Sequence, residues 1–128
     1  MKTPSKKHII LIVEDDLSLR NALVDKFSRE DFSVIEAKNG EEGLEIALQK
    51  HPDLILLDIV MPKMDGITML KKLREDAWGK NAKVIVLSNL SDNEKVSQAV
   101  EQNSFEYLVK SDWKIEDVVT KVKNILKI

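Results

Sequence analysis

Apolar residues along this chain follow two rhythms. Five short runs are nearly continuous or alternate with period two: HIILIV, FSVIEA, DLILLD, AKVIVLS and FEYLV, which begin at His8, Phe32, Asp53, Ala82 and Phe105. Between them the apolar positions recur every three or four residues. Leu19, Ala22, Leu23 and Phe27 fall on one helical face, as do Leu44, Ala47 and Leu48, then Leu70, Leu73 and Ala77. Val96, Ala99 and Val100 form a shorter stripe. Ile115, Val118, Val119, Val122, Ile125 and Leu126 form the clearest one. Period two predicts a strand and period 3.6 a helix. The chain is therefore expected to alternate strand and helix five times.

Strict alternation of this kind predicts an α/β fold: a parallel sheet with helices on both faces, joined by right-handed crossovers. The first, third and fourth runs are almost purely apolar, as central strands must be. The second alternates, and the fifth carries Glu106 with Lys110 just beyond it; both suit sheet edges. A doubly wound, five-stranded (βα)5 sheet of order 2-1-3-4-5, the flavodoxin-like arrangement, satisfies all of this. The joints agree. Asn39-Gly40, with Glu42 three residues after the asparagine, predicts the start of the second helix, and Asp65-Gly66 that of the third. Ser91 or Asp92 is expected to cap the fourth, and Ser111 or Asp112 the fifth.

Composition narrows the class. The chain has 128 residues, enough for one core, with 43% hydrophobic and 33% charged residues, a globular balance. Its 20 basic and 22 acidic residues leave a formal net charge of -2, which argues against nucleic-acid binding by this domain itself. The absence of cysteine excludes disulfides and thiolate chemistry. No apolar run is long enough to span a bilayer, so no membrane association is expected. The start, MKTPSKKHIILIV, has positive residues before an apolar stretch, but that stretch is short and meets Glu14-Asp15-Asp16 with no cleavage site. Residues 1–7 are expected to be a flexible tail, residues 8–128 a single domain, and the location cytoplasmic.

Open parallel sheets bind ligands outside the carboxyl ends of their strands. Here the first strand ends in Glu14, Asp15 and Asp16, the third in Asp58, the fourth in Ser88 and Asn89, and the fifth in Lys110. Strands one and three are neighbours in the expected order, so four carboxylates converge. Like charges this close raise one another's pKa. Protonation, a cation, or splaying into water would relieve them, and a hard divalent ion is the natural partner of several carboxylates. Lys110 and Ser88 add a positive charge and a hydroxyl donor, both suited to a transferring phosphoryl group. A carboxylate can itself be the nucleophile, and Asp58 is central. Singly these residues mean little. Asp58 alone would pass as a solvated strand end, and Lys110 alone as a guard against edge-to-edge aggregation.

Together they resemble the receiver domain of two-component response regulators, the CheY-like family. The match lies in LIVEDD at Leu11 to Asp16, LLDIVMPKMDG at Leu56 to Gly66, VIVLSN at Val84 to Asn89 and YLVKS at Tyr107 to Ser111. The resemblance implies a phosphoacceptor at Asp58 and a metal site for Mg2+, with Mn2+ as a substitute. Its ligands would be Asp15 directly, Glu14 through water, Asp58, and the backbone carbonyl of Val60. It implies that Ser88 bonds the phosphoryl oxygen and moves on activation, that Tyr107 is the switch aromatic, and that Lys110 pairs with the phosphoryl group. Asp16 and Asn89 are accessory candidates.

The implied function is a signalling switch rather than a conventional enzyme. A sensor histidine kinase or phosphotransfer protein would donate the phosphoryl group to Asp58. The face of the fourth helix, fifth strand and fifth helix would then change toward a downstream protein target, in a monomer or weak dimer. Two positions depart from the family pattern. Ser111 follows Lys110 where the family usually has proline, so a trans bond is expected, since cis before a non-proline costs roughly 2.5–4 kcal/mol. Asn89 stands where a small residue is usual. These departures keep an alternative open, a phosphate-independent pseudo-receiver that serves as an interaction module. Val60 and Leu90 lie where apolar side chains would shield an aspartyl phosphate, which predicts slow self-dephosphorylation. A flavin-binding reading fails because the first strand leads into acidic residues rather than a phosphate-binding loop. The end at Ile128 fits either a stand-alone receiver or one cut from a longer regulator.

Overall fold

Each of the five strand-length runs becomes a strand, shortened by one or two residues at its amino end. They are β1 (Ile9–Val13), β2 (Ser33–Ala37), β3 (Leu54–Asp58), β4 (Val84–Ser88) and β5 (Glu106–Val109). The computed structural model describes residues 7–59, 61–88, 106–109 and 114–128, with the side chains of 7–59, 61–87 and 114–128. All neighbouring strands run parallel in the order β2-β1-β3-β4-β5, the doubly wound arrangement the pattern predicts. β3 is buried along its whole length, whereas β2 has exposed positions, as central and edge strands should.

The helices are α1 (Leu17–Arg29), α2 (Gly40–Lys50), α3 (Gly66–Glu75) and a C-terminal helix (Ile115–Leu126). Because strand side chains alternate, the sheet carries two cores. Leu11, Val13, Ile55, Leu57, Val84 and Val86 face α2 and α3, where Ala47, Met69, Leu70 and Leu73 meet them. Ile10, Ile12, Leu54, Leu56, Ile85 and Leu87 face α1 and the C-terminal helix, with Leu23, Phe27, Val118 and Val122. Phe27 and Phe32 close one end of this second core edge to face, 5.2 Å between ring centres.

Two helix faces differ from the expected stripes. Leu44 and Ala47 pack on the sheet side as expected, but Leu48 is exposed, and Gly43 and Ile46 complete the face in its place. The reason is a close approach of helix to strand. A Cβ on Gly43 would lie 2.8 Å from Val13 Cγ2, so the helix face centres on the residue without a side chain. Ala77 lies beyond the end of α3, whose buried side is Ile67, Met69, Leu70 and Leu73. Trp78 follows that helix and stacks on His51, with centroids 4.3 Å apart and planes 10° from parallel. His51 ends α2 in a left-handed conformation, φ 48°, and its N–H donates to Ala47 O.

The second and third helix starts are as expected. Asn39 Oδ1 accepts from Glu42 N–H at 2.8 Å, and Asp65 Oδ1 from Thr68 N–H at 2.8 Å. The last helix starts differently from the expected Ser111 or Asp112 cap. Its first flanking residue is Lys114, whose N–H donates to Asp117 Oδ2 at 2.8 Å. A carboxylate one turn into the helix reaches back and does the capping work. The Val96, Ala99 and Val100 stripe and the cap expected at Ser91 or Asp92 lie outside the described residues. Among the described residues no helix is long and apolar enough to cross a membrane.

Candidate acidic site at the strand ends

Register builds the site. Val13 of β1 pairs with Leu57 of β3, so the next residues, Glu14 and Asp58, reach the carboxyl edge of the sheet at one height. Both are buried, Glu14 at 1% and Asp58 at 5% exposure, although each is a carboxylate. Asp15, one residue on, is exposed. One carboxylate oxygen from each of Glu14, Asp15 and Asp58 lies within 4.8 Å of the others.

Backbone N–H groups orient the two buried acids. Asp16 N–H donates to Glu14 Oε2 at 3.2 Å, and Ile59 N–H donates to Asp58 Oδ1 at 2.8 Å. The peptide of Glu14 is itself held, its N–H donating to Ala37 O at 3.0 Å. Asp16 is not part of the triad. Its Oδ1 accepts from Leu19 N–H at 3.1 Å and caps α1. The fourth carboxylate expected in the cluster therefore serves a helix end, which explains how three rather than four acids share this space.

Unscreened, each pair of like charges at such separations repels by on the order of 4 kcal/mol at the effective dielectric of a protein surface. The donor set is all oxygen, partly buried and open on the Asp15 side. A hard divalent cation fits it: Mg2+ takes one or two carboxylates and keeps several waters. Glu14, Asp15 and Asp58 are the described residues that could hold one.

The remaining candidates are placed by backbone or not at all. Ser88 closes β4 opposite Val109 of β5, one residue past Leu87, which pairs with Asp58. Tyr107 pairs with Val86 on β5. The side chains of Ser88 and Tyr107 lie outside the described residues, as do Val60, Asn89, Leu90, Lys110 and Ser111 entirely.

Two residues shape the site that the sequence did not mark as part of it: Gly66, read only as a turn signal, and Arg20, not singled out at all. Gly66 presses on the strand end: its N–H donates to Ile59 O at 2.8 Å, and a Cβ there would overlap the Asp58 carbonyl oxygen. Arg20, on α1, donates through Nη1 to Glu14 O at 2.9 Å and through Nε to Glu36 Oε1 at 3.0 Å. A signal for Arg20 was present. A cation in the first turns of a helix opposes the helix dipole, so it is expected to have a specific partner.

Comparison with known proteins agrees with this geometry. Residues 10–123 match the family model described as the response regulator receiver domain. The transcriptional regulatory protein SrrA of Staphylococcus aureus is 36% identical over 118 residues, which cover 92% of this chain and 47% of that protein. The chain spans at most about half the length of the curated relatives it matches. Among solved structures, the receiver domain of the Francisella response regulator 1452 aligns with a TM-score of 0.84 at 29% identity, covering 94% of this chain and 98% of that one. A chain of the CheX-CheY-BeF3-Mg2+ complex from Borrelia burgdorferi aligns at 0.81 and 32% identity, covering 93% and 89%. With that match running through nearly every described strand and helix, the chain belongs to the response regulator receiver domain family, the CheY-like switches of two-component systems.

Proposed function

We propose that this domain is a phosphorylation switch whose acceptor is Asp58. The observation that carries the reading is the buried Asp58 carboxylate, grouped with Glu14 and Asp15 at the carboxyl edge of the sheet in a chain of the receiver family. The donor is a phosphohistidine on a sensor histidine kinase or phosphotransfer protein. A carboxylate oxygen of Asp58 attacks phosphorus, the P–N bond of the donor breaks, and its electron pair stays on the imidazole nitrogen. Ile59 N–H holds Asp58 Oδ1 in orientation for that attack. In this reading the Ser88 hydroxyl and the Lys110 ammonium take up the phosphoryl oxygens, with Asn89 as an accessory residue. Glu14, Asp15, Asp58 and the Val60 carbonyl would hold Mg2+ or Mn2+, which supplies positive charge against the crowded carboxylates and the transferring group. The Mg2+ in the Borrelia complex is in keeping with that ion.

The new charge on Asp58 draws Ser88 inward and lets Tyr107 follow, which shifts the population of the face around β5 and the C-terminal helix toward a partner-binding state. The output is a protein contact. The apolar character of Val60 and Leu90 supports slow self-dephosphorylation in this reading.

Intact mass after incubation with a small-molecule phosphodonor tests the reading. Wild type should gain a phosphoryl adduct with Mg2+ and gain none when excess EDTA is present from the start. Asp58→Asn, which keeps an oxygen acceptor for Ile59 N–H, should remain folded and gain none. No adduct on folded wild type would reject the switch and leave the phosphate-independent module, with Asn89 and Ser111 as its distinguishing positions.

A further inference from the structure

Glu14 is the most buried of the three acids, and its position is set from the neighbouring strand. Its N–H is fixed by Ala37 O, at the end of β2. Its carbonyl is fixed by Arg20 Nη1, and the same guanidinium is fixed through Nε by Glu36, the residue before Ala37. The Arg20 side chain is only 13% exposed, whereas that of Glu36 is half exposed. The planar fork of arginine thus spans from Glu14, just past the end of β1, to the edge strand, a bridge that a lysine point charge does not reproduce.

We infer that Arg20 is a positioning residue: it fixes the Glu14 peptide and so aims the Glu14 carboxylate into the cation site. The inference rests on the metal role proposed above for Glu14, Asp15 and Asp58. Charge alone predicts the opposite effect. Arg20 is a cation near an acidic site, so its loss as a charge should tighten binding of a divalent cation. Its loss as a strut should loosen binding, because the groups that orient metal ligands typically carry 10–100-fold in affinity. The sign of the change separates the two.

Calorimetric titration with Mg2+ alone, without phosphodonor, reads this directly on wild type, Arg20→Ala, Arg20→Lys, Glu36→Ala and the Arg20→Ala/Glu36→Ala double variant. Arg20→Ala should bind Mg2+ about 10-fold more weakly or worse, and Arg20→Lys should stay weakened although it keeps the charge. Glu36→Ala should weaken binding in the wild-type background and add nothing to Arg20→Ala, since it acts through the guanidinium. Circular dichroism checks that each variant is folded, and Arg20→Lys carries the test if Arg20→Ala is not, because charge alone predicts no change there and loss of the strut predicts weaker binding. Mg2+ binding by Arg20→Ala as tight as wild type or tighter overturns the inference while leaving the metal site intact. Wild type that takes up no Mg2+ overturns the metal site itself and the inference with it.

Discussion

At the scale of one residue, the site depends on how closely the chain packs around Asp58. Gly66 sits against the Asp58 carbonyl, at the first position of α3. Replacing a glycine by alanine at an unstrained position usually stabilises a protein by about 0.4–1 kcal/mol through the unfolded chain. Here the added methyl has no room, and overpacking of this kind costs about 1–3 kcal/mol. Gly66→Ala should therefore lower the urea midpoint and slow phosphoryl uptake together, because the backbone that yields belongs to Asp58. A variant as stable as wild type, with unchanged uptake, would refute the close-packing account. The acids were legible in the sequence because a charge at the end of an apolar run is conspicuous. Gly66 was legible only as a turn signal, since the atom it makes room for lies on another element.

At the scale of elements, helix starts are local chemistry and read well. Asn39 and Asp65 cap α2 and α3 as their spacing implies. Asp16 shows the limit. As a third consecutive acid after β1 it looked like part of the cluster, but the turn into α1 commits its carboxylate to Leu19 N–H. The two roles predict different losses. Asp16→Ala should cost about 1 kcal/mol of stability, the usual value of an N-cap, with little loss of Mg2+ affinity. Asp15→Ala should do the reverse. Urea denaturation paired with Mg2+ titration checks both, and equal loss of metal affinity in the two variants would return Asp16 to the cluster.

At the scale of the molecule, α1 and the C-terminal helix are tied across 93 residues of sequence by Lys123 Nζ and Glu30 Oε1, 2.7 Å apart. The hydrogen bond and charge of Lys123 hold the Glu30 carboxyl below its ordinary value of 4.5, against a smaller upward push from desolvation, with Lys26 adding to the lowering. A carboxyl depressed in the folded state contributes stability above its unfolded pKa and loses it as the pH falls through the folded value. Glu30→Gln should thus be less stable than wild type at neutral pH, with the gap closing as the pH drops below about 4.5. Denaturation midpoints across a pH series at low salt measure it; added salt should shrink the gap because the pair is at the surface. A gap that stays constant through acid pH would show that the pair does not couple these helices.

The sequence by itself determined the alternation of strand and helix among the described residues, the central and edge classes of strand, and the acids that follow β1 and end β3. Those follow from periodicity and from the cost of placing charge beside apolar runs, which are properties of neighbours along the chain. Tertiary structure alone decided which acids meet. The pairing of Val13 with Leu57 sets Glu14 and Asp58 at one height, the first turn of α1 takes Asp16 away, and Arg20 joins the Glu14 peptide to Glu36 on β2. Register and helix packing bring together atoms from separate elements, and no local pattern encodes a distance between them.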